Sequence, residues 1–295
     1  MKQKLLFLPA CALLLAVVMG ACSKSEPTKE SEEEGGLMVD TAWIDSVEFS
    51  FSRCVIEDFA ATRAVESITD AGMTDLWVFD YMGGELQQVV HQANTDAGFG
   101  TVRVPATIGD HTFCFVASKG STPTVSGGTI SWDKPSDTFW AKHELTVTPG
   151  MDAQNEDLNR VATRLRIKIT DEITADMKTL AVTPSTWYYG LNVLDGTATN
   201  AQVKERSVSI PDSYVGTSGQ LLMSVFGISP ADDWQTDVTV TCKDAGGNVL
   251  HSVQVPNVPI QRNRSTLYSG SLTSAGAQAS VRVETAWTDE YEGTW

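Results

Sequence analysis

The segment DLWVFDYMGGELQQVVH, residues 75–91, sets the fold class of this 295-residue chain. Residues 75–81 are apolar on both faces of an extended chain, and residues 82–85 (MGGE) carry the glycine pair of a tight turn. Residues 86–91 then return as a second strand, so a β-hairpin is predicted. The same short-strand pattern fills most of the chain, and no long segment has the 3.6-residue period of a helix.

The first strand is predicted upstream of this hairpin. Val47, Phe49 and Phe51 alternate with polar residues between residues 43 and 52, which describes a strand with one apolar face. Further strands are predicted downstream, at 101–104, 111–117, 144–147, 203–210, 221–228, 238–242, 249–255, 265–272 and 281–287. Short strands about ten residues apart, without crossover helices, favour antiparallel sandwiches.

A polar, turn-rich segment at residues 148–157 divides the pattern in two. The prediction is therefore an all-β protein with two tandem antiparallel β-sandwich domains, residues 41–150 and residues 156–295. Each predicted domain lies within the usual range of about 100–200 residues.

The N-terminus has the anatomy of a lipoprotein signal. Lys2 and Lys4 precede an apolar run, and the small residues of MGAC end at Cys22. Residues 1–21 are therefore predicted to be removed, and acyl chains such as palmitate to be attached to Cys22, holding the chain on a bacterial envelope membrane. The alternative is an ordinary cleaved signal followed by an incidental cysteine. Residues 22–40 contain little to bury and predict a flexible acidic tether.

Composition and motifs argue against several functions. The formal net charge is −16, so nucleic acid is a poor partner. The histidines lack the spacing of metal ligands, and no nucleophile elbow, P-loop or dinucleotide motif occurs, so no metal, cofactor or catalysis is expected. A hydrolase with an unrecognised carboxylate pair is the remaining enzymatic hypothesis. Two hypotheses remain for Cys54 and Cys114. They form a disulfide bridge with each other, or they are free thiols buried in apolar strands.

Several aromatic residues lie in or beside loop-like stretches: Trp132, Trp140, Trp187, Tyr188, Tyr189 and Trp234. Flat aromatic faces in loops can stack on sugars or on a protein partner. Large aromatics also close the open ends of a β-sandwich core, and that interpretation is favoured.

Four features together resemble the fimbrillin superfamily of Bacteroidales. They are the lipoprotein signal with its acidic tether, ATRA at residues 61–64, LNRVATR at residues 158–164, and VPIQRNRSTLYSG at residues 258–270. The acidic cluster at residues 31–34 also resembles the export signal of Bacteroidetes surface lipoproteins, although like charges alone would keep a linker extended. The resemblance implies transthyretin-like sandwiches, a position on the outer membrane at the cell surface or in a fimbrium, and other fimbrial subunits as partners.

The resemblance also implies assembly by strand donation. An arginine-specific protease would cut after the first strand, at Arg63 or Arg53, and release Val47, Phe49 and Phe51 together with the lipid. The alternative for Arg63 is an ordinary exposed loop arginine. Val281, Val283 and Trp287 are candidates for a donor tail, or form the last strand of their own sandwich.

The predicted function is thus a non-catalytic fimbrial subunit or anchor, with adhesion to a host protein or glycan as a further role. The alternative is a surface glycan-binding lipoprotein of a polysaccharide-uptake system.

Overall fold

The computed structural model describes residues 43–56, 64–273 and 280–284. In this part of the chain nearly all regular structure is β, apart from one 3₁₀ turn at Asp212–Tyr214, so the all-β prediction is confirmed. No helix among these residues has the length and apolarity to cross a membrane. All of these described residues belong to one compact unit.

The first ten strands are β1 (Trp43–Ile56), β2 (Ala64–Glu66), β3 (Asp75–Met82), β4 (Glu85–Ala93), β5 (Thr101–Thr107), β6 (Gly109–Ser118), β7 (Thr124–Ser126), β8 (Thr129–Ser131), β9 (Thr138–Val147) and β10 (Gln154–Arg160). The other ten are β11 (Ala162–Ile169), β12 (Thr179–Pro184), β13 (Trp187–Asn192), β14 (Ala198–Gln202), β15 (Arg206–Ser209), β16 (Gln220–Ile228), β17 (Asp233–Lys243), β18 (Val249–Gln261), β19 (Ser265–Gly270) and β20 (Ser280–Glu284).

The hairpin predicted at residues 75–91 is confirmed as β3 and β4. Gly83 and Gly84 both have positive φ angles, 60° and 85°, which a two-residue hairpin turn of this kind requires and which glycine adopts without a steric penalty. The turn between β17 and β18 is held by the Asp244 carboxylate, which accepts hydrogen bonds from the backbone N–H groups of Gly246 and Asn248.

The first sheet contains eight strands in the order β2-β1-β10-β9-β6-β3-β4, with β5 paired to β1. β10 and β9 separate β1 from β6 in this order, yet the ring of Phe49 on β1 lies 4.7 Å from that of Phe113 on β6. Because strands three places apart in a flat sheet are separated by about 14 Å, the sheet must curl over so that its apolar face encloses a core.

The second half of the chain forms two facing sheets of four strands, ordered β16-β11-β19-β20 and β15-β12-β17-β18. Leu165 and Ile167 from the first of these pack in one cluster with Leu180, Val182 and Val240 from the second. This packing of two inner faces is that of a β-sandwich.

The remaining sheet, ordered β14-β13-β8-β7, joins strands from the two halves of the sequence. Its Ile130 and Leu191 pack with Phe79 and Val116 of the first sheet and with Ile228 of the second half. β10, which begins at Gln154, belongs to the first sheet. The division into domains 41–150 and 156–295 stays a prediction, and the structure adds that pairing and packing both extend across it.

Candidate interaction site around the first strand

β1 lies inside the first sheet, with a neighbour on each side. It pairs in parallel with β10, and on its other side it pairs antiparallel with β5 and then with β2. Both sides of its backbone are therefore paired at residues 49–50 and 54–55, and one side is paired elsewhere along the strand. Removal of β1 would leave β10 with an unpaired edge, and β5 without the one strand that it pairs with among the described residues.

The apolar face of β1 fills the first core. Val47, Phe49 and Phe51 are almost completely buried. The Phe49 ring lies 5.0 Å from that of Phe115, and the Phe51 ring lies 4.9 Å from the same ring in an edge-on arrangement. Such tilted aromatic pairs add to the stabilisation that burial alone gives. The alternation in the sequence thus identifies the side chains of β1 that fill the first core. Without β1, their places would form one continuous groove in that core.

The wall beside this groove contains a cross-strand pair on β9 and β10. Nδ1 of His143 lies 2.6 Å from Oε1 of Glu156, and the His143 ring meets that of Phe49 edge-on at 6.5 Å. Burial raises the pKa of Glu156, and the neighbouring His143 partly offsets that effect. This contact joins β10 to β9 without involving β1.

The two candidate cleavage sites differ in position. Arg53 is exposed, but it lies within β1 and its Nη1 is 3.7 Å from the Asp157 carboxylate on β10. A backbone that is paired within a sheet cannot enter a protease cleft without first leaving the sheet. Arg63 lies outside the described residues, as do Cys22 and Trp287.

The candidate donor residues Val281 and Val283 lie on β20, which pairs antiparallel with β19 of the same chain. Oε2 of Glu284, at the end of β20, is 2.8 Å from Nη1 of Arg166 on β11. The described part of the tail therefore belongs to its own sandwich, and a donor role stays a prediction for the residues that follow.

Comparison with known proteins gives one family match. A family model described as a family of unknown function, DUF6562, matches residues 124–295, which is more than half of the chain. The chain belongs to the DUF6562 family. The match begins at the first residue of β7, so it contains the sheet that joins the two halves. No curated protein matches the chain at the sequence level.

Solved structures show where this DUF6562 fold recurs. The fimbrial anchor protein Mfa2 from Porphyromonas gingivalis aligns over 82% of this chain and 97% of its own, with TM-score 0.50 and 10% identity. A candidate adhesin from Bacteroides ovatus aligns over 88% and 96%, with TM-score 0.50 and 10% identity. A candidate polysaccharide-binding protein (DUF1812) from Bacteroides thetaiotaomicron aligns over 81% and 97%, with TM-score 0.50 and 13% identity. These structural neighbours are thus a fimbrial anchor protein, a candidate adhesin and a candidate polysaccharide-binding protein, and the fimbrillin-like resemblance is confirmed as a likeness of fold.

The six aromatic residues singled out from the sequence do not form one binding platform in the DUF6562 chain. Trp132, Trp187 and Tyr189 are buried in the core. Trp140 is half-buried and its Nε1 donates a hydrogen bond to the Val193 carbonyl. Tyr188 and Trp234 pack against each other edge-on at 5.5 Å. Core packing thus takes three of the six, in agreement with the interpretation favoured from the sequence.

A buried pair of an aspartate and a histidine in the first sheet was missed by the sequence analysis. Asp80 on β3 and His111 on β6 lie in apolar strands, and their side chains meet at 2.6 Å between Oδ1 and Nδ1. Nε2 of His111 lies 3.0 Å from the Thr107 carbonyl and 3.3 Å from its hydroxyl. Both ring nitrogens are thus engaged inside the protein, and the ring is 1% exposed. This arrangement holds strands together and presents no base to a substrate.

Two further expectations concern metal sites and cysteines. Within residues 43–56, 64–273 and 280–284, no three His, Cys, Asp or Glu side chains are grouped so as to hold a metal ion. Cys114 carries a free, buried thiol, so the bridge to Cys54 is not formed. Burial raises the pKa of Cys114 to about 12, which makes its thiolate scarce at neutral pH.

Proposed function

We propose that this chain is a non-catalytic subunit or anchor of a surface fimbria, and that it joins neighbouring subunits by exchange of β1. The supporting observation is that β1 is an interior strand whose buried face fills a continuous groove. The fold that holds this groove is similar to that of a fimbrial anchor protein.

The energetics of exchange favour a firmly held replacement strand. Burial of Val47, Phe49 and Phe51 contributes roughly 1.5–3 kcal/mol each. The sum is comparable with the stability of a whole domain, about 5–15 kcal/mol. An emptied groove would therefore bind a new strand strongly, because the strand restores the ladders to β10 and β5 while alternate side chains refill the core.

The fate of the lipid decides which role the chain has. Acyl chains on Cys22 would hold it on the outer membrane, facing the cell surface. A cut after Arg63 would remove the lipid together with β1 and produce a building block of the fimbrium. An uncut chain would remain as an anchor. The partners on this proposal are other fimbrial subunits, with a host protein or glycan as the target of adhesion.

The experiment compares proteolysis and assembly in matched variants. Residues 23–295 are prepared in soluble form, treated with an arginine-specific protease, and followed by intact mass and electron microscopy. We expect cleavage after Arg63 and ordered polymers. Arg63→Ala should stay intact and monomeric. Arg53→Ala is the control. It should still be cut after Arg63, because the peptide bond after residue 53 lies within β1 and is not the expected cleavage site.

A second measurement tests the groove directly. A synthetic peptide of residues 43–56 should bind the cleaved chain and block polymerisation, and the same peptide with Phe49→Ala should bind at least about tenfold more weakly. Strand exchange is refuted if the cleaved chain stays monomeric with β1 still bound under all conditions, or if the two peptides bind equally well.

A further inference from the structure

The curled first sheet is not closed by backbone pairing between β4 and β5. In the part of the chain that the structure describes, β4 pairs only with β3 and β5 pairs only with β1, so each has one edge without a strand partner. The two strands follow each other in the chain and are connected by residues 94–100. Unpaired strand edges in native proteins are normally covered or blocked, so the groups that cover this edge of β5 are of interest.

Two glutamine side chains of β4 bind the backbone of β5 and of the turn before it. Nε2 of Gln92 donates a hydrogen bond to the Thr101 carbonyl at 3.0 Å, at the start of β5. Its Oε1 accepts one from the N–H of Gly100, also at 3.0 Å. Further along the strand, Nε2 of Gln88 donates to the Pro105 carbonyl. Side-chain amides thus bind β5 where a neighbouring strand would bind it through its backbone.

The buried pair of Asp80 and His111 extends this row of contacts to the end of β5. Nε2 of His111 lies 3.0 Å from the carbonyl of Thr107, the last residue of the strand. The Asp80 carboxylate orients both groups, since Oδ1 lies 2.6 Å from Nδ1 of His111 and Oδ2 accepts a hydrogen bond from Nε2 of Gln88 at 3.1 Å. Gln88, Gln92 and His111 together form a side-chain seam along β5.

The side-chain seam occupies the edge of β5 that faces away from β1. The carbonyls that it binds belong to Thr101, Pro105 and Thr107, and carbonyls of alternate residues in a strand point to the same side. The Gly100 carbonyl, one residue earlier, points to the other side and accepts a hydrogen bond from the Phe51 N–H of β1 at 2.8 Å. The seam and β1 therefore hold β5 from opposite sides.

Loss of β1 would leave the seam as the support of the β5 backbone. Val102, Val104 and Ala106 keep β5 against the first core, but apolar contacts are non-directional and do not fix the edge of a strand. We propose that the side-chain seam holds β5 as a preformed second wall of the emptied groove, so that an incoming strand pairs with β10 and β5 at once. Binding is then spared the entropy cost of ordering β5. This inference rests on the proposed function, since it concerns the same groove.

The test replaces two residues of the seam without changing their length. Methionine is about as long as glutamine but donates no hydrogen bond, so the double variant is Gln88→Met/Gln92→Met. Gln87→Met is the matched control, because Gln87 is an exposed residue of the same strand and donates to the Glu85 carbonyl near it. Hydrogen–deuterium exchange is measured by mass spectrometry on uncut chains of residues 23–295. Residues 101–107 should exchange at least about threefold faster in the double variant than in the control, with β9 and β10 unchanged.

The second measurement uses the chains cleaved after Arg63 and the synthetic peptide of residues 43–56. The peptide should bind the double variant at least about tenfold more weakly than it binds Gln87→Met, because β5 must then be ordered by the peptide itself. The hydrogen bonds of Gln88 and Gln92 go to β3, to β5 and to the turn before β5. Their effect on the peptide therefore acts through the position of β5.

Each measurement can overturn the inference. It fails if residues 101–107 exchange equally in the double variant and the control, or if exchange rises as much in β9 and β10 as in β5, which would indicate a general loss of stability. Equal binding of the peptide by the two cleaved chains overturns it as well. If the cleaved parent chain never releases β1, the proposed function fails, and exchange in the uncut chains still decides whether the seam holds β5.

Discussion

Replacing Phe49 by alanine tests how far β1 supports the first core. The Phe49 side chain is 0% exposed, and its ring lies 4.7 Å from that of Phe113 and 5.0 Å from that of Phe115. Loss of burial costs about 2–3 kcal/mol, and loss of the aromatic pairs adds about 1 kcal/mol. The cavity left behind brings the expected total to about 3–5 kcal/mol, because neighbouring strands hold their positions.

Urea unfolding followed by circular dichroism measures this loss. With an m value of about 2–3 kcal/mol/M, the midpoint should fall by about 1–2 M. Val203→Ala is the control, since Val203 is 69% exposed and its truncation should change stability by less than about 0.5 kcal/mol. If Phe49→Ala shifts the midpoint no more than this control does, β1 is not an integral part of the core, and the energetic argument for strand exchange fails.

Three further predictions concern other parts of the chain. The Arg160 guanidinium binds the buried Asp137 carboxylate at 2.7 and 2.9 Å, so Asp137→Ala should lower the free energy of unfolding by about 3–5 kcal/mol. The double variant Asp137→Ala/Arg160→Met should recover much of this loss, as measured by thermal denaturation. Equal losses in the single and the double variant would contradict the prediction. Burial alone would raise the pKa of Asp171, but hydrogen bonds from residues 271–273 outweigh it and hold that pKa below its ordinary value. The resulting stability is present above about pH 4 and is lost as the pH falls through the lowered pKa, so Asp171→Asn should be less stable at pH 7 by about 1–2 kcal/mol, with a gap that closes in acid; a gap independent of pH would refute this. Burial raises the pKa of Cys114 to about 12 and that of Cys242 to about 11, so neither thiol should react with a thiol reagent at pH 8 until urea unfolds the chain, and rapid labelling of the native protein would show that one of them is accessible.

The hairpin β3–β4 and the turn between β17 and β18 could be predicted because their signals are local. The two-residue period, the glycine pair and the Asp244 turn each act within a few residues. The buried face of β1 was also readable, since alternation at residues 47–51 is enough to assign one side of a strand to a core.

Pairing between distant segments was not readable. The parallel ladders that join β1 to β10 and β11 to β19 bring together residues about 100 positions apart. Such contacts depend on the total packing of two sheets, which no local pattern encodes. The segment at residues 118–136, rich in glycine and serine, contains β7 and β8, and it buries Ile130 and Trp132 because neighbouring sheets cover it.

The buried polar groups escaped prediction for a related reason. Asp80 and His111 look like exceptions in apolar strands, and only their meeting at 2.6 Å explains why each is tolerated there.

The attachment of β10 bears on whether an emptied groove would survive. Besides its ladder to β1, β10 is held to β9 by backbone pairing at Asn159 and Arg160, and by the contact between His143 and Glu156. Arg160 also binds Asp137 and contacts Asn263 of the second half. None of these contacts involves β1. On the proposed mechanism, therefore, loss of β1 would leave β10 anchored with an unpaired edge, and an incoming strand would meet a preformed partner instead of having to order one.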